Sequence, residues 1–124
     1  MLLNNLFLKE NQEFTNNELI TTMNLVKNHA VFQGHFPGQP VLPGVSMIQV
    51  SKELLEEYLG FPLIMKSSRQ IKFLHVVNPE ETAQVVSKIK WDFQEEMKYK
   101  ATIQLFAPEG HTIFKMQCDY EKMG

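Results

Sequence analysis

The stretch Phe32-Gln33-Gly34-His35-Phe36-Pro37-Gly38-Gln39-Pro40-Val41-Leu42-Pro43-Gly44-Val45, with the run that follows it to Leu59, decides how this chain folds. From Gly34 to Val45, three glycines and three prolines in twelve residues restrict the backbone to few arrangements, and one imidazole, His35, sits among them. The character changes at Pro43-Gly44. From Val45 to Leu59, at about 100° per residue, Met47, Ile48, Val50, Leu54, Leu55, Tyr58 and Leu59 fall on one broad arc, and Ser46, Gln49, Glu53, Glu56 and Glu57 fall opposite. The pattern predicts an amphipathic helix of about four turns. Pro43 stands at its first turn, where proline is tolerated, and Gly60 just past its last periodic residue, where a left-handed residue ends helices. The N–H groups of Gly44 and Val45 then lie at the positive end of the helix dipole without intrahelical acceptors, placed to polarise a carbonyl oxygen.

Working outward, Leu3 to Lys9 reads as a first strand or short helix, Asn11 to Asn17 as a turn, and Glu18 to Val26 as an alternating strand that pairs with the first element. Lys27 to Gln33 is a connector with room for a helical turn. Beyond Gly60-Phe61-Pro62, four alternating runs, 66–76, 82–93, 99–106 and 111–120, are separated by short turns that include Gln94-Glu95-Glu96 and Pro108-Glu109-Gly110. Such turns predict an antiparallel meander. One helix against five or six antiparallel strands is an α+β layer architecture, and residues 1–124 form one domain without repeats or linkers.

Composition narrows the classes. With 124 residues and 44% hydrophobic content, a core is affordable and a second domain is not. A net charge of −2 argues against a nucleic-acid partner, which calls for a clustered basic surface. The lone Cys118 excludes an intrachain disulfide and, in a strand without a charged motif, reads as a buried thiol. Met1 to Leu8 is too short and lacks the basic start of a signal peptide, and no apolar run approaches the roughly 20 residues that cross a bilayer. The expected setting is cytoplasmic.

The segment from Gly34 to Val45 resembles the signature of the β-hydroxyacyl-acyl carrier protein dehydratases, the FabZ and FabA type, with every Gly and Pro in register. The motif covers about a tenth of the chain, and the order of elements on both sides also fits. The resemblance implies a hotdog fold, in which a long central helix is wrapped by a curved antiparallel sheet. It implies a lyase that removes water from (3R)-3-hydroxyacyl thioesters on acyl carrier protein, giving trans-2-enoyl thioesters in fatty-acid or related polyene synthesis. No cofactor is expected beyond the carrier's own phosphopantetheine. It further implies a homodimer or an oligomer of dimers, each site formed across two subunits beside an apolar tunnel for the acyl chain.

Such a reaction needs a base for the C2 proton, a donor for the carbonyl as charge develops there, and an acid for the departing hydroxyl. By resemblance His35 is the base and the Gly44 N–H the donor, with Phe36, Pro37, Gly38, Pro43 and Val45 around the substrate. An unperturbed histidine, with a pKa of about 6.5, is mostly neutral near pH 7, as a base must be. The acid is where the chain departs from the family. Fourteen residues after the histidine, where the FabZ type carries Glu or Asp, stands Gln49, which cannot give up a proton but can hold a hydroxyl or a water. One turn on, where Gln is common, stands Glu53, as though the two side chains had been exchanged. Glu53 is either the acid, acting from one turn further away, or an ordinary solvated side chain on the polar face.

Gln49 also supports two other readings: a non-catalytic subunit that binds acyl thioesters, and a heterodimer in which a related dehydratase supplies the missing acid. Thioesterase activity, known among related hotdogs that lack this loop, ranks last. Lys66, Arg69 and Lys72 form a modest basic cluster that either docks the acidic carrier or is a solvated face. His29, His75 and His111 show no metal-ligand spacing.

Overall fold

A computed structural model describes residues 1–33 and 40–124. Gly34 to Gln39, and with them His35, Phe36, Pro37 and Gly38, lie outside the described residues. The elements run β1 (Phe7–Thr15), β2 (Glu18–Leu25), a 3-10 turn (Ala30–Phe32), α1 (Gly44–Leu59), β3 (Leu63–Phe73), β4 (Gln84–Gln94), a short 3-10 segment (Glu95–Met97), β5 (Lys98–Phe106) and β6 (Thr112–Lys122). All six strands join one antiparallel sheet in the order β1-β2-β4-β5-β6-β3. One helix with a six-stranded antiparallel sheet is the hotdog arrangement that the resemblance implies.

The helix bounds follow from their residues. Pro43, with φ −65° and ψ 144°, caps the start, and its carbonyl accepts from the N–H of Ser46 and Met47 at 3.1 and 3.4 Å. Gly60 closes the last turn at φ 89°, donating to the Glu56 carbonyl at 2.8 Å. Met47, Val50, Leu54 and Leu55 are buried with Ile89 of β4, Ile103 and Leu105 of β5, and Phe114 and Met116 of β6 in one apolar core. Each such large side chain removed from water stabilises the fold by about 1.5–3 kcal/mol.

Four expectations need correction. Asn11 to Thr15 continue β1 as a polar edge strand, held by the ladder to β2 and by Gln12 donating to Thr21 at 2.9 Å; the turn is Asn16-Asn17, both at positive φ. The last four strands are not one meander. β4, β5 and β6 follow one another, whereas β3 crosses to the far edge and pairs with β6, because α1 must span the concave face before its chain rejoins the sheet. On α1, Ser46 and Glu53 are buried although assigned to the polar side, since a side chain's partners decide its burial as much as its angle does. Tyr58, assigned to the apolar arc, is nearly half exposed and joins Phe14 and Trp91 in a cluster with ring centroids 5.5–5.6 Å apart.

Candidate active site

Pro40 to Pro43 bring the chain from the motif loop to the helix. The Leu42 N–H donates to the Val77 carbonyl at 2.8 Å and its side chain is buried, which anchors the loop's exit against the segment that follows β3. Pro43 and Gly44 are half-buried, and Val45 is 74% exposed. Among the described residues the N–H groups of Gly44 and Val45 have no acceptor, so the first turn of α1 presents two unused donors and the dipole's positive end.

A side chain covers this turn. A Cβ added to Gly44 would lie 2.6 Å from the Phe73 ring, which stacks on the buried Phe114 with centroids 5.1 Å apart. A side chain at residue 44 would therefore displace the Phe73 ring, which is itself 51% exposed and lies beside the amides. The sequence offered no sign of this contact, because residues 44 and 73 meet only through the placement of β3.

One turn below Val45, Gln49 is exposed. Its amide nitrogen donates to Glu53 Oε2 at 2.9 Å. That bond turns the amide nitrogen toward Glu53 and leaves the carbonyl oxygen and one N–H to the surroundings. Beside Gln49 lies a hollow of about 290 Å³ walled by Ile48, Leu63, Ile64, Met65 and Met123, with Lys52 at its edge. Lys52 is held by Glu56 and the Leu63 carbonyl, both at 3.3 Å.

Glu53 is not a solvated side chain. It is 1% exposed, and its carboxylate accepts from the Leu2 N–H at 2.8 and 3.1 Å, from the Leu3 N–H at 2.9 Å and from Gln49. Two backbone amides from the chain's start and one side-chain amide compensate a charge that burial would otherwise penalise. The structure thus brings Val45, Gln49 and Glu53 onto one side of the helix, and the role of Leu2 and Leu3 there had no sequence signal.

The remaining candidates are spoken for or scattered. His29 accepts from the Val31 N–H and lies 3.1 Å from Asn5. His75 and His111 lie with ring centroids 4.5 Å apart on the surface. No group of three potential metal ligands occurs among the described residues. Arg69 makes two bonds to Asp119, at 2.9 and 3.2 Å, and Ser67 adds a third at 2.7 Å; these hold the Asp119 carboxyl below its ordinary range. Cys118 is fully buried, and burial pushes its thiol up to about 11, so it is no nucleophile at neutral pH.

Relatives and structural neighbours place the chain's family and fold. A FabZ dehydratase of Syntrophobacter fumaroxidans is 28% identical over 105 residues, covering 78% of this chain and 70% of that protein. One from Levilactobacillus brevis is 39% identical over 82 residues, where the match spans 60% of this chain and about half, 55%, of the relative's length. Among solved structures, the dehydratase heterocomplex ApeI:P from Xenorhabdus doucetiae superposes with a TM-score of 0.78 at 22% identity, over 94% of this chain and 98% of that one. The sequence model of the ApeI-like family, described as ApeI dehydratase, matches residues 10–116, and the chain belongs to that family of hotdog dehydratases.

Proposed function

We propose that this protein dehydrates (3R)-3-hydroxyacyl thioesters carried on acyl carrier protein. The observation that carries the reading is the start of α1, where two amides have no acceptor among the described residues and the Phe73 ring lies against Gly44. A thioester carbonyl placed there receives hydrogen bonds and the helix dipole as negative charge grows on its oxygen. His35 takes the C2 proton. Gln49 holds the 3-hydroxyl or a water, fixed in orientation by Glu53. The apolar hollow beside Gln49 is of a kind to take part of an acyl chain.

With an amide at position 49, protonation of the leaving hydroxyl falls to the imidazolium formed in the first step, to Glu53 through a water, or to a second subunit. The last possibility favours a specific alternative: this chain as the partner of a related dehydratase that carries the acid. Gln49 supports it, as does the likeness to a dehydratase that is itself a heterocomplex. The protein is further proposed to act without a cofactor and in the cytoplasm, as a homodimer when no partner is present.

The deciding experiment incubates the purified chain with a 3-hydroxyacyl carrier protein and follows conjugated enoyl thioester by its ultraviolet absorbance alongside free thiol. Enoyl product supports the dehydratase. Free thiol alone would make it a thioesterase, and neither product, with activity appearing on addition of a related dehydratase, would make it the partner subunit.

A further inference from the structure

We propose that His75 and His111 together form a surface site for a zinc-class dication, an ion that staples the chain after β3 to the turn between β5 and β6. The inference stands apart from the dehydratase reading, since neither imidazole belongs to the site at the start of α1.

Far apart in sequence, the two histidines meet because β3 pairs with β6. The Leu74 and His75 N–H groups both donate to the Ile113 carbonyl, at 2.8 and 3.3 Å, which sets His75 beside the first residues of β6. His111 ends the turn before β6, where its carbonyl accepts from the Ala107 N–H at 2.9 Å. Both backbones are thereby held while both side chains stay open to solvent. The ring centroids lie 4.5 Å apart with the planes inclined by 57°. Two imidazoles that share one dication, each through a bond of about 2.0–2.1 Å, bring their centroids to roughly 4.5–5 Å, so the pair already has the spacing of a chelate.

The ring nitrogens are sorted in the same sense. His75 Nδ1 lies 2.8 Å from the Thr112 carbonyl oxygen, which can only accept, so the hydrogen is on Nδ1 and Nε2 keeps its lone pair. The Glu109 carboxylate, 3.5 Å from His111 Nδ1, favours the same tautomer in the second ring. Among the described residues neither Nε2 has a hydrogen-bond partner. An acceptor behind Nδ1 with Nε2 left free is how imidazole ligands to zinc are oriented. No third protein ligand stands by among the described residues, which leaves the other positions to water and makes the ion exchangeable. Imidazole suits Zn²⁺, Ni²⁺ and Cu²⁺, whereas Mg²⁺ prefers oxygen. The link also bears on the motif loop: the Val77 carbonyl, just beyond His75, holds the Leu42 N–H at 2.8 Å where that loop ends.

The test titrates the tag-free, metal-stripped chain with Zn²⁺ and with Mg²⁺ by calorimetry, alongside His75→Gln, His111→Gln and, as a control for the imidazole of the motif loop, His35→Gln. Wild type and H35Q should each take up one Zn²⁺ per chain and no Mg²⁺, and uptake should fall in mild acid as the ring nitrogens protonate. Either surface variant should bind about 10-fold more weakly or worse. Saturating Zn²⁺ should raise the melting temperature of wild type and H35Q but not of the surface variants. Both surface substitutions fall on exposed side chains, so melting without metal should match wild type and report intact folding. Cu²⁺ in place of Zn²⁺ should show two nitrogen ligands by electron paramagnetic resonance in wild type and one in each surface variant. No uptake of Zn²⁺ at millimolar concentration, or uptake that survives in both surface variants, would overturn the site. Loss of uptake in H35Q alone would put the ion in the motif loop and overturn it equally.

Discussion

Glu53 holds a negative charge where almost no water reaches it, and three amide donors make that tolerable. Glu53→Gln keeps the shape but turns an amide nitrogen toward one of those donors, so unfolding in urea should show a loss of about 1–3 kcal/mol. The amides of Leu2 and Leu3 should exchange faster with solvent in that variant. Unchanged turnover would also remove Glu53 from the reaction. Gln49→Glu poses the opposite problem, since two carboxylates at hydrogen-bond distance cannot both ionise. One carboxyl then titrates above its unfolded value, so the variant should be fully stable in acid and lose stability as pH rises through that raised pKa. The same retained proton is what a leaving hydroxyl needs, so turnover should rise. The exchange of side chains was legible in the sequence. The burial was not, because the donors sit some fifty residues away and are backbone groups, to which side-chain patterning is blind. Cys118 was legible: an alternating strand without a charged motif gave a buried thiol. Its raised pKa predicts that iodoacetamide at pH 8 leaves the folded protein unmodified and labels it fully in denaturant. Stability from this thiol is present below its unfolded pKa near 9 and is lost as pH rises through about 11.

Helix α1 and strand β3 show how far local rules reach. Pro43 and Gly60 bound the helix as expected, since caps depend on a few neighbouring residues. The pairing of β3 with β6 across the sheet was hidden, because strands 63–73 and 84–94 look alike in pattern and only closure around the helix separates their places. With that pairing unseen, the Phe73 wall over Gly44 was unseen too. The contact makes a prediction in which two effects oppose. Alanine suits a helix better than glycine by about 1 kcal/mol, but its methyl would meet the Phe73 ring, which must swing off Phe114. Gly44→Ala should therefore leave thermal stability near wild type while cutting kcat, since the displaced wall no longer confines the thioester against the amides. In the Phe73→Ala background the same Gly44→Ala change should stabilise by the full helical preference. A double-mutant cycle with no coupling between positions 44 and 73 would show that the ring does not constrain the helix start.

At the scale of the whole molecule the two edges of the sheet differ in kind. β1 faces solvent with Lys9, Glu10, Asn11, Gln12 and Glu13, charged and amide side chains that discourage pairing. β3, at the other edge, is eleven residues long and exposes Ile64, Ile71 and Phe73, with Leu74 and Val76 just beyond and Val45 near by on the helix. An eleven-residue edge with apolar side chains towards both ends is open to pairing, and a second copy of β3 running antiparallel would cover it by extending the sheet through a twofold axis. The expected particle is thus twice 14.4 kDa by light scattering, and Ile64→Lys with Ile71→Lys should shift it toward the single-chain mass; a wild-type particle already at that mass would exclude the dimer. If each site then takes His35 from one chain and Gln49 from the other, complementation follows from the symmetry. Mixing unfolded His35→Ala and Gln49→Ala chains and refolding them together leaves half the dimers mixed, each with one intact site and one doubly damaged site. About a quarter of the wild-type activity should return from two inactive parents. No recovery, with mixed dimers demonstrated by a mass tag, would place His35 and Gln49 of one site on the same chain.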